Sequence, residues 1–471
     1  MLLKYFYDDR LAQAAYMVGC SATGVAMVID PARDITPYLE AAAAEGLEIC
    51  YVAETHIHAD FVSGSRELAA RTGATLYLSD TGDANWKYQF AGANTVLLND
   101  GDAWMVGSVR VEVIATPGHT PEHIMLQITD TATTDKPLGL FTGDCLFVGA
   151  VGRPDLLEKA TAVEGTMIAG AREQYQNIAR LRQMPDWLQV WPGHGAGSAC
   201  GKALGALPST TLGYEKHTNH AFALDTEDTF VEWLLEDQPE PPAYFAQMKK
   251  VNKKGPALLV ELPIPEPLTR DQLAELLDAE AQIVDTRDAE AFADHHLAGT
   301  ISIPSRSSGF CTYAGWLVDY ARPVYLIAPQ DQISRILHDL RAVGVDDVRG
   351  FYPAEQLDGA TAILARREAA EVAAHRDQFH IIDVRNKAEV DERYIPGSQH
   401  IFMGYLAREV ANIPREKPLV LYCATGIRSH IGASVLAGLG FENVANLDGG
   451  IDAWQAAGYP VTEGTPAAEP F

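Results

Sequence analysis

Short apolar runs alternate with helix-like segments along the first half of the chain. Runs with a two-residue hydrophobic period predict strands, whereas apolar residues three to four positions apart predict helices. Helices are expected at residues 35–44, from about 65, and at 161–184. Strands are expected at residues 2–7, 15–20, 26–30, 47–53, 75–79, 95–99, 109–115, 124–129, 139–142 and 188–191. This alternation favours a layered α/β architecture.

Two proline-rich breaks, at residues 237–242 and 262–267, divide the chain, and the part after them contains an internal repeat. The sequence IVDTR at 283–287 matches IIDVR at 381–385. Each copy alternates strands and helices, which predicts a small α/β domain with a parallel sheet. We therefore predict three domains, at residues 1–242, 258–365 and 366–471.

The composition excludes several classes of partner. The 471 residues include 36 Lys and Arg against 63 Asp and Glu, a net charge of −27. Such a chain is not expected to bind nucleic acid or an anionic membrane surface. The six cysteines are scattered, the first residues lack a signal-peptide pattern, and no apolar run is long enough to span a membrane. We expect a cytoplasmic protein with reduced thiols.

The first candidate site follows the strand predicted at residues 47–53, in the sequence ETHIHADF at 54–61. His56, His58 and Asp60 alternate, so on an extended segment they point to the same side. Imidazole suits Zn or Fe, and a carboxylate adds charge. The stretch therefore predicts a metal site, provided that other ligands lie downstream.

Three downstream motifs supply such ligands. The sequences PGHT at 117–120, TGD at 142–144 and PGHG at 192–195 each place His or Asp after an apolar strand, in a glycine-containing turn. Strand ends converge in space, and glycine lets the backbone approach a compact centre. A lone His or Asp at a strand end is usually ordinary, but one shared metal site explains all these elements.

This series of motifs resembles the metallo-β-lactamase superfamily over residues 1–242. The resemblance implies an αββα sandwich. Hydrolases of the superfamily, such as glyoxalase II, carry HxHxDH and two zinc ions, whereas Phe61 replaces the last histidine here. A second metal site would combine Asp60, His194 and that missing histidine, so the resemblance disfavours a dinuclear hydrolase.

The persulfide dioxygenase group is the more similar part of the superfamily. The sequences THIHAD at 55–60 and LFVGAVGRPD at 146–155 resemble its motifs, although Ala150 replaces an expected acidic residue. That group holds one Fe(II) per chain through two histidines and one aspartate. Such a set leaves three coordination positions open, for a persulfide sulfur and O2. Carried onto this sequence, the ligands are His56, His119 and Asp144.

Other residues are expected to surround this metal. His58, Asp60 and His194 would hold ligands and waters in place. The competing set is His56, His58 and His119 on one Zn. Arg153 and Cys200 are expected to contact the substrate; a thiol at Cys200 could accept or present a sulfane sulfur, or simply fill a tight turn.

The second candidate site lies at Cys423, after the apolar strand predicted at residues 419–422. A strand, a short loop and a helix place backbone N–H groups around one point, where the sulfur would lie. The helix N-terminus and Arg428 both favour the nucleophilic thiolate. An inert core cysteine is the alternative.

The loop CATGIR at 423–428 resembles the rhodanese family. The resemblance implies that Cys423 and Arg428 are catalytic and that Thr425 and Gly426 help to bind the substrate. Four residues separate Cys423 from Arg428, one fewer than in protein phosphatase loops, which suits a single sulfur rather than phosphate. In the middle copy Ala328 stands opposite Cys423, so we expect an inactive rhodanese-like domain there.

These features together predict an enzyme that detoxifies sulfide. It would oxidise low-molecular-weight persulfides with O2 to sulfite and thiol, and would transfer sulfane sulfur through Cys423 to sulfite, giving thiosulfate. We expect a homo-oligomer. One alternative is a zinc-dependent, glyoxalase II-like thioester hydrolase fused to a thiosulfate sulfurtransferase. Another is a non-enzymatic sulfur carrier or sensor with a structural metal.

Overall fold

The computed structural model describes residues 1–156, 166–202, 204–236, 238, 241–359 and 362–464. The predicted helix start at residue 161 and part of the break predicted at 237–242 lie outside the described residues. The chain forms two compact units. The first is Met1–Glu261 with Arg341–Gly344, and the second is Leu262–Leu340 with Val345–Phe471.

The first unit contains two six-stranded sheets. The strands are β1 Leu2–Asp8, β2 Gln13–Cys20, β3 Val25–Ile29, β4 Glu48–Ala53, β5 Thr75–Ser79, β6 Thr95–Leu98, β7 Ala103–Val106, β8 Val109–Ala115, β9 Ile124–Asp130, β10 Gly139–Gly143, β11 Gln189–Pro192 and β12 Thr210–Thr211. One sheet has the order β1-β2-β3-β4-β5-β6 and the other β12-β11-β10-β9-β8-β7. Every predicted strand of this region is present, and β7 and β12 are additional.

The helices of the first unit lie on the outer faces of the two sheets. They are α1 Thr36–Glu45, α2 Ser65–Thr72, α3 Thr166–Arg182, α4 Leu212–Thr218, α5 Glu227–Leu235 and α6 Phe245–Lys254. The sequence pattern did not reveal α4, α5 or α6. No described helix is both long enough and apolar enough to cross a membrane.

Three apolar layers hold the first unit together. The middle layer joins the two sheets, with Val18 from β2 packing in one cluster with Leu126 from β9. On one outer face α1 and α2 contribute Tyr38 and Leu68, and on the other α3 contributes Ile178. The predicted αββα sandwich is therefore confirmed, because each sheet is buried on both faces.

Helix α6 belongs to the first unit, although it lies beyond the predicted limit at residue 242. The Asn252 side chain donates to the carbonyls of His58, at 2.8 Å, and Phe61, at 2.7 Å, and accepts from the Ser63 N–H at 2.9 Å. One buried amide thus fixes the loop after β4 against α6. The pattern before α6 misled because its Pro-rich segment reads as a linker.

The second unit contains two five-stranded sheets whose strands are all parallel. The first comprises β13 Glu266–Pro267, β14 Gln282–Asp285, β15 Ile301–Ser302, β16 Val324–Ala328 and β17 Val348–Pro353. The second comprises β18 Ala365–Arg367, β19 His380–Asp383, β20 Gln399–His400, β21 Leu419–Tyr422 and β22 Val444–Leu447. The helices are α7 Arg270–Asp278, α8 Ala289–Asp294, α9 Phe310–Leu317, α10 Ile333–Ala342, α11 Ala369–Ala374, α12 Lys387–Glu392, α13 Ile427–Gly438 and α14 Gly450–Ala456.

The two sheets of the second unit have the same strand order, β13-β17-β16-β14-β15 and β18-β22-β21-β19-β20. Their registers also correspond, because Val324 pairs with Gln282 as Leu419 pairs with His380. Counting along β16 and β21 from these pairs shows that Ala328 and Cys423 occupy equivalent positions in the two sheets. The structure thus reproduces the equivalence that the sequence repeat predicted.

Candidate metal and thiol sites

The ends of four strands in the first unit bring His and Asp side chains into one buried cluster. His56 follows β4, His119 follows β8, Asp144 follows β10 and His194 follows β11. All four are at most 3% exposed. The cluster forms because loops that leave the same edge of packed sheets must meet there.

Three of these residues, His56, His119 and Asp144, form a group that could hold a metal ion. Their ligand atoms all lie within 4.8 Å of one another. The Asp144 Oδ2 atom is 3.8 Å from the His56 Nε2 atom and 3.4 Å from the His119 Nε2 atom. Metal–ligand bonds of about 2.0–2.2 Å would fit between atoms at this spacing.

Hydrogen bonds fix the tautomers of the three histidines in the buried cluster, His56, His119 and His194. The His119 Nδ1–H donates to the Arg153 carbonyl at 3.0 Å, and the His194 Nδ1–H donates to the Ala12 carbonyl at 3.0 Å. The Thr55 hydroxyl donates to Asp30 at 2.8 Å, so it must accept from the His56 Nδ1–H, 2.9 Å away. Each Nε2 atom therefore keeps a lone pair directed into the cluster.

The donor set fits a metal cation. Both carboxylate oxygens of Asp144 are buried and meet no hydrogen-bond donor among the described residues. Burial lowers the pKa values of His56 and His119, which keeps both imidazoles neutral. Burial opposes ionisation of Asp144, but His194 and His119 prevail and lower its pKa. A bound cation would supply the partner that this buried carboxylate lacks.

A second group of ligand atoms adjoins the first. Asp60, His194 and Cys200 offer atoms that lie within 4.8 Å of one another. The His194 Nε2 atom is 3.2 Å from the Asp60 Oδ2 atom and 3.5 Å from the Asp144 Oδ1 atom. Asp144 thus directs one oxygen to each group. The sequence predicted that the Cys200 thiol could lie near the metal, and the structure brings it together with Asp60 and His194.

His58 is directed away from the first group. Its Nε2 atom lies 3.2 Å from the Asp30 Oδ1 atom. Burial opposes protonation, but Asp30 prevails and raises the pKa of His58 to about 9. The competing zinc set of His56, His58 and His119 is therefore not the one that the structure assembles. The Phe61 ring packs 4.5 Å from the His58 ring and fills space beside it.

Arg153 is buried beside the metal group, where an ion pair holds its side chain. Its side chain is fully buried, donates to Asp155 at 2.7 and 2.5 Å, and reaches the Ala199 carbonyl at 3.2 Å. Its backbone carbonyl orients His119. The structure thus gives the guanidinium an ion pair with Asp155, and the contact between Arg153 and substrate stays a prediction. That side chain also steadies the loop that carries Cys200.

Two glycines allow this close packing. A Cβ atom at Gly152 would lie 1.8 Å from the Asp144 carbonyl oxygen, and one at Gly193 would lie 2.7 Å from the Asp144 Oδ1 atom. Any larger residue would therefore displace the Asp144 segment. The glycine-containing turns are needed at these positions, as the sequence motifs predicted.

We expect Thr55→Val to weaken metal binding about 10- to 100-fold, because the variant removes the hydroxyl that orients His56. Valine preserves the shape of the buried side chain. Metal content and affinity of the purified protein provide the measurement. Thr75→Val on β5 makes the same chemical change away from the cluster and serves as the control. Equal metal affinity in the two variants would contradict the orienting role.

The second candidate site lies at the end of β21 in the second unit. Cys423 is 1% exposed, and its sulfur accepts from the Gly426 N–H at 3.1 Å and from the Ser429 hydroxyl at 3.4 Å. Gly426 has φ of 104°, a left-handed value that glycine adopts readily and that aims its N–H at the sulfur. The predicted cradle around Cys423 is therefore formed, with Thr425 exposed beside it.

Arg428 is held by an ion pair that the sequence did not reveal. It donates twice to Glu389, each time at 2.6 Å. Tyr313, from α9 of the preceding module, packs against the apolar cluster that includes Cys423. Burial raises the pKa of Tyr313, while Arg428 lowers it and Cys423 raises it, so the phenol lies within the field of this site.

Asp30, Glu389 and Tyr313 are the neighbours that sequence reasoning missed. Asp30 directly follows β3, so the strand-end pattern that indicated His119 could also have indicated it. Glu389 and Tyr313 carried no such signal, because they reach their sites from elements distant in the chain.

Comparisons with known proteins cover both sites. Residues 8–194 match the model of the metallo-β-lactamase superfamily, and residues 368–457 match that of the rhodanese-like domain. A solved metallo-β-lactamase from Staphylococcus aureus is 44% identical, covering 75% of this chain and 99% of its own, with a TM-score of 0.69. The structure of ETHE1 from Myxococcus xanthus is 28% identical, covering 54% of this chain and 98% of its own, with a TM-score of 0.44.

Curated relatives match a smaller part of the chain. A hydroxyacylglutathione hydrolase from Gloeobacter violaceus is 37% identical over 174 residues, which cover 37% of this chain and 60% of that protein. The chain thus spans about 60% of the length of the first curated relatives it matches. The identity to nearly the whole S. aureus protein and the match over residues 8–194 show that this chain belongs to the metallo-β-lactamase superfamily, and it carries a rhodanese-like domain towards its C-terminus.

Proposed function

We propose that the protein is a persulfide dioxygenase with rhodanese sulfurtransferase activity. The observation that carries this proposal is the pairing, in one chain, of a two-histidine, one-carboxylate group with a loop that cradles a single sulfur. A set of His56, His119 and Asp144 on one side of an iron ion would leave open the positions that substrate and O2 require. The first site would oxidise sulfane sulfur to sulfite, and the second would transfer sulfane sulfur to that sulfite.

The first reaction would convert a persulfide, O2 and water into sulfite and the free thiol, with release of protons. Fe(II), when bound, supplies the centre at which the persulfide sulfur and O2 are brought together. The protein's own part is to hold the three ligands in fixed tautomers and to keep bulk water away from a cluster that is at most 3% exposed. Cys200 and Asp60 would face the bound substrate from the second group.

The second reaction would pass sulfane sulfur through Cys423. The thiolate attacks the outer sulfur of a second persulfide, the S–S bond of that persulfide breaks, and its thiol leaves. Sulfite then attacks the outer sulfur now on Cys423, forming thiosulfate and regenerating the thiolate. The Gly426 N–H and the Ser429 hydroxyl stabilise negative charge on the sulfur at each stage.

The test is to purify the protein without oxygen, measure its metals, and add glutathione persulfide. We expect about one iron per chain and one O2 consumed per sulfite formed, before any transfer to thiosulfate. Protein reloaded with zinc alone should not consume O2. Absence of O2 uptake by the iron-loaded protein would reject the dioxygenase.

The alternative is a zinc-dependent thioester hydrolase joined to a sulfurtransferase. It is favoured by the second ligand group of Asp60, His194 and Cys200, which could hold a second ion, and by the curated relatives named hydroxyacylglutathione hydrolase. This enzyme would bind two zinc ions and hydrolyse a hydroxyacyl thioester of glutathione without O2. Metal content and thioester hydrolysis separate the two proposals.

A further inference from the structure

A large cavity in the first unit adjoins the loop that carries His119. Its volume is about 970 Å³, and Pro117, Gly118 and Pro121, which flank His119 in sequence, form part of its wall. Cavities of this size accommodate a cofactor or a large ligand. No residue of the metal group lines the cavity, so it can hold a part of a ligand that lies beside the reacting end.

Four lysines of α6 line this cavity: Lys249, Lys250, Lys253 and Lys254. Positions i, i+1, i+4 and i+5 share one side of a helix, and the adjoining side of α6 is buried through Phe245, Met248 and Asn252. The chain has 63 acidic residues against 36 Lys and Arg, so four adjacent cations contrast with the prevailing charge. Two acidic residues, Asp83 and Glu173, also line the cavity, which leaves an excess of positive charge.

The lysines differ in the contacts that their ammonium groups make within the protein. Lys253 donates to the Asn85 carbonyl at 2.5 Å, and the Lys249 Nζ atom lies 3.2 Å from the centre of the Trp86 ring. Burial lowers the pKa of Lys249 to about 8, although Glu122 opposes the shift. Lys250 and Lys254 are exposed and make no hydrogen bond or ion pair with any residue that the structure describes. The cavity is therefore lined by two unpaired ammonium groups, one that donates to a backbone carbonyl and one that is partly desolvated over an aromatic ring.

Stabilisation of the helix end explains only part of this arrangement. Cations in the last turn of a helix interact favourably with its dipole, which accounts for Lys253 and Lys254. Lys249 and Lys250 lie a turn earlier, and Lys249 is held over an aromatic ring at the cost of desolvation. A ligand with several negative charges accounts for all four.

We propose that this cavity binds the phosphate-bearing end of the thiol that carries the persulfide. The preferred carrier would then be a thiol of the coenzyme A type, in which a long arm separates the sulfur from several phosphates, rather than glutathione. This inference rests on the proposed function for the identity of the reacting group. Clustered ammonium groups attract phosphates as point charges, whereas glutathione carries two carboxylates and an ammonium and presents far less charge.

Binding of coenzyme A, dephospho-coenzyme A and glutathione to the full-length protein tests the proposal by titration calorimetry. We expect coenzyme A to bind at least about tenfold more tightly than glutathione, with dephospho-coenzyme A between them, and its affinity to fall with added salt. Lys250→Glu/Lys254→Glu should reduce coenzyme A affinity by about tenfold or more. Lys136→Glu, an exposed reversal in a loop outside the cavity, is the control and should change it little.

Two results would overturn the proposal: similar affinities for coenzyme A and glutathione, or unchanged coenzyme A binding by Lys250→Glu/Lys254→Glu. The second result would mean that these two lysines do not contribute to ligand binding and only stabilise the end of α6. Circular dichroism and thermal unfolding of the variants report folding of the first unit, and Lys254→Gln provides a milder change if the double variant is unstable. Because calorimetry needs no turnover, a charge-dependent coenzyme A site in a protein that consumes no O2 would uphold the binding of a phosphate-bearing thiol in this cavity while rejecting the dioxygenase and the persulfide as the reacting group.

Discussion

Asp144→Asn is expected to remove the bound metal and abolish O2 consumption while leaving sulfur transfer through Cys423 intact. The substitution keeps the size of a fully buried side chain and its backbone, so the cluster should remain packed. It removes the negative charge that lies 3.4 Å from the His119 Nε2 atom. Loss of an anionic ligand should weaken metal binding by more than about 100-fold, beyond the effect of a surrounding hydrogen-bond partner. Metal analysis and an oxygen electrode provide the measurements.

Asp60→Asn is the informative companion, because Asp60 belongs only to the second group. In a mononuclear iron enzyme this variant should keep about one metal per chain. In a dinuclear zinc hydrolase it should lower the content from about two metals to one. An Asp144→Asn protein that still bound iron and consumed O2 would show that the first group had been assigned wrongly.

Cys423→Ser is expected to change the product from thiosulfate to sulfite. The nucleophilic sulfur is replaced by a hydroxyl that cannot carry sulfane sulfur under these conditions, so transfer should fall by at least about 10³-fold. Oxidation at the metal cluster should continue and sulfite should accumulate. Separation of sulfite and thiosulfate after derivatisation gives the ratio directly.

Cys50→Ser, at a half-buried thiol on β4, controls for the loss of a cysteine as such. It should leave the ratio of thiosulfate to sulfite unchanged. Continued formation of thiosulfate by Cys423→Ser would exclude that residue as the sulfur carrier and would direct attention to Cys200.

The sequence was sufficient to predict site residues that directly follow a strand with a clear apolar pattern. Apolar runs predicted the sheets of the first unit, and the residues after them include His56, His119 and Asp144, which the structure brings together. The repeat likewise predicted two parallel sheets and the correspondence of Ala328 with Cys423. Local pattern determines strand positions, and the loops at strand ends follow.

The sequence was insufficient where function depends on contacts between distant segments. Asp30 fixes both Thr55 and His58, and Glu389 pairs with Arg428 across 39 positions of the chain. The pairing of the buried Arg153 side chain with Asp155 likewise could be seen only in three dimensions. Helix α6 escaped notice because a Pro-rich segment precedes it, although its lysines line a cavity beside the His119 loop.

The middle copy of the repeat, with the sheet of β13 to β17, has the fold of its neighbour without the residues of the thiol loop. It retains the strand order and register of its neighbour, yet β16 ends at Ala328 and the following loop lacks both the glycine and the arginine. Packing constrains the residues of the strands, whereas the sequence of a loop beyond them can change without unfolding the sheet. The sheet of such a domain therefore does not depend on the residues that form the thiol loop of its neighbour.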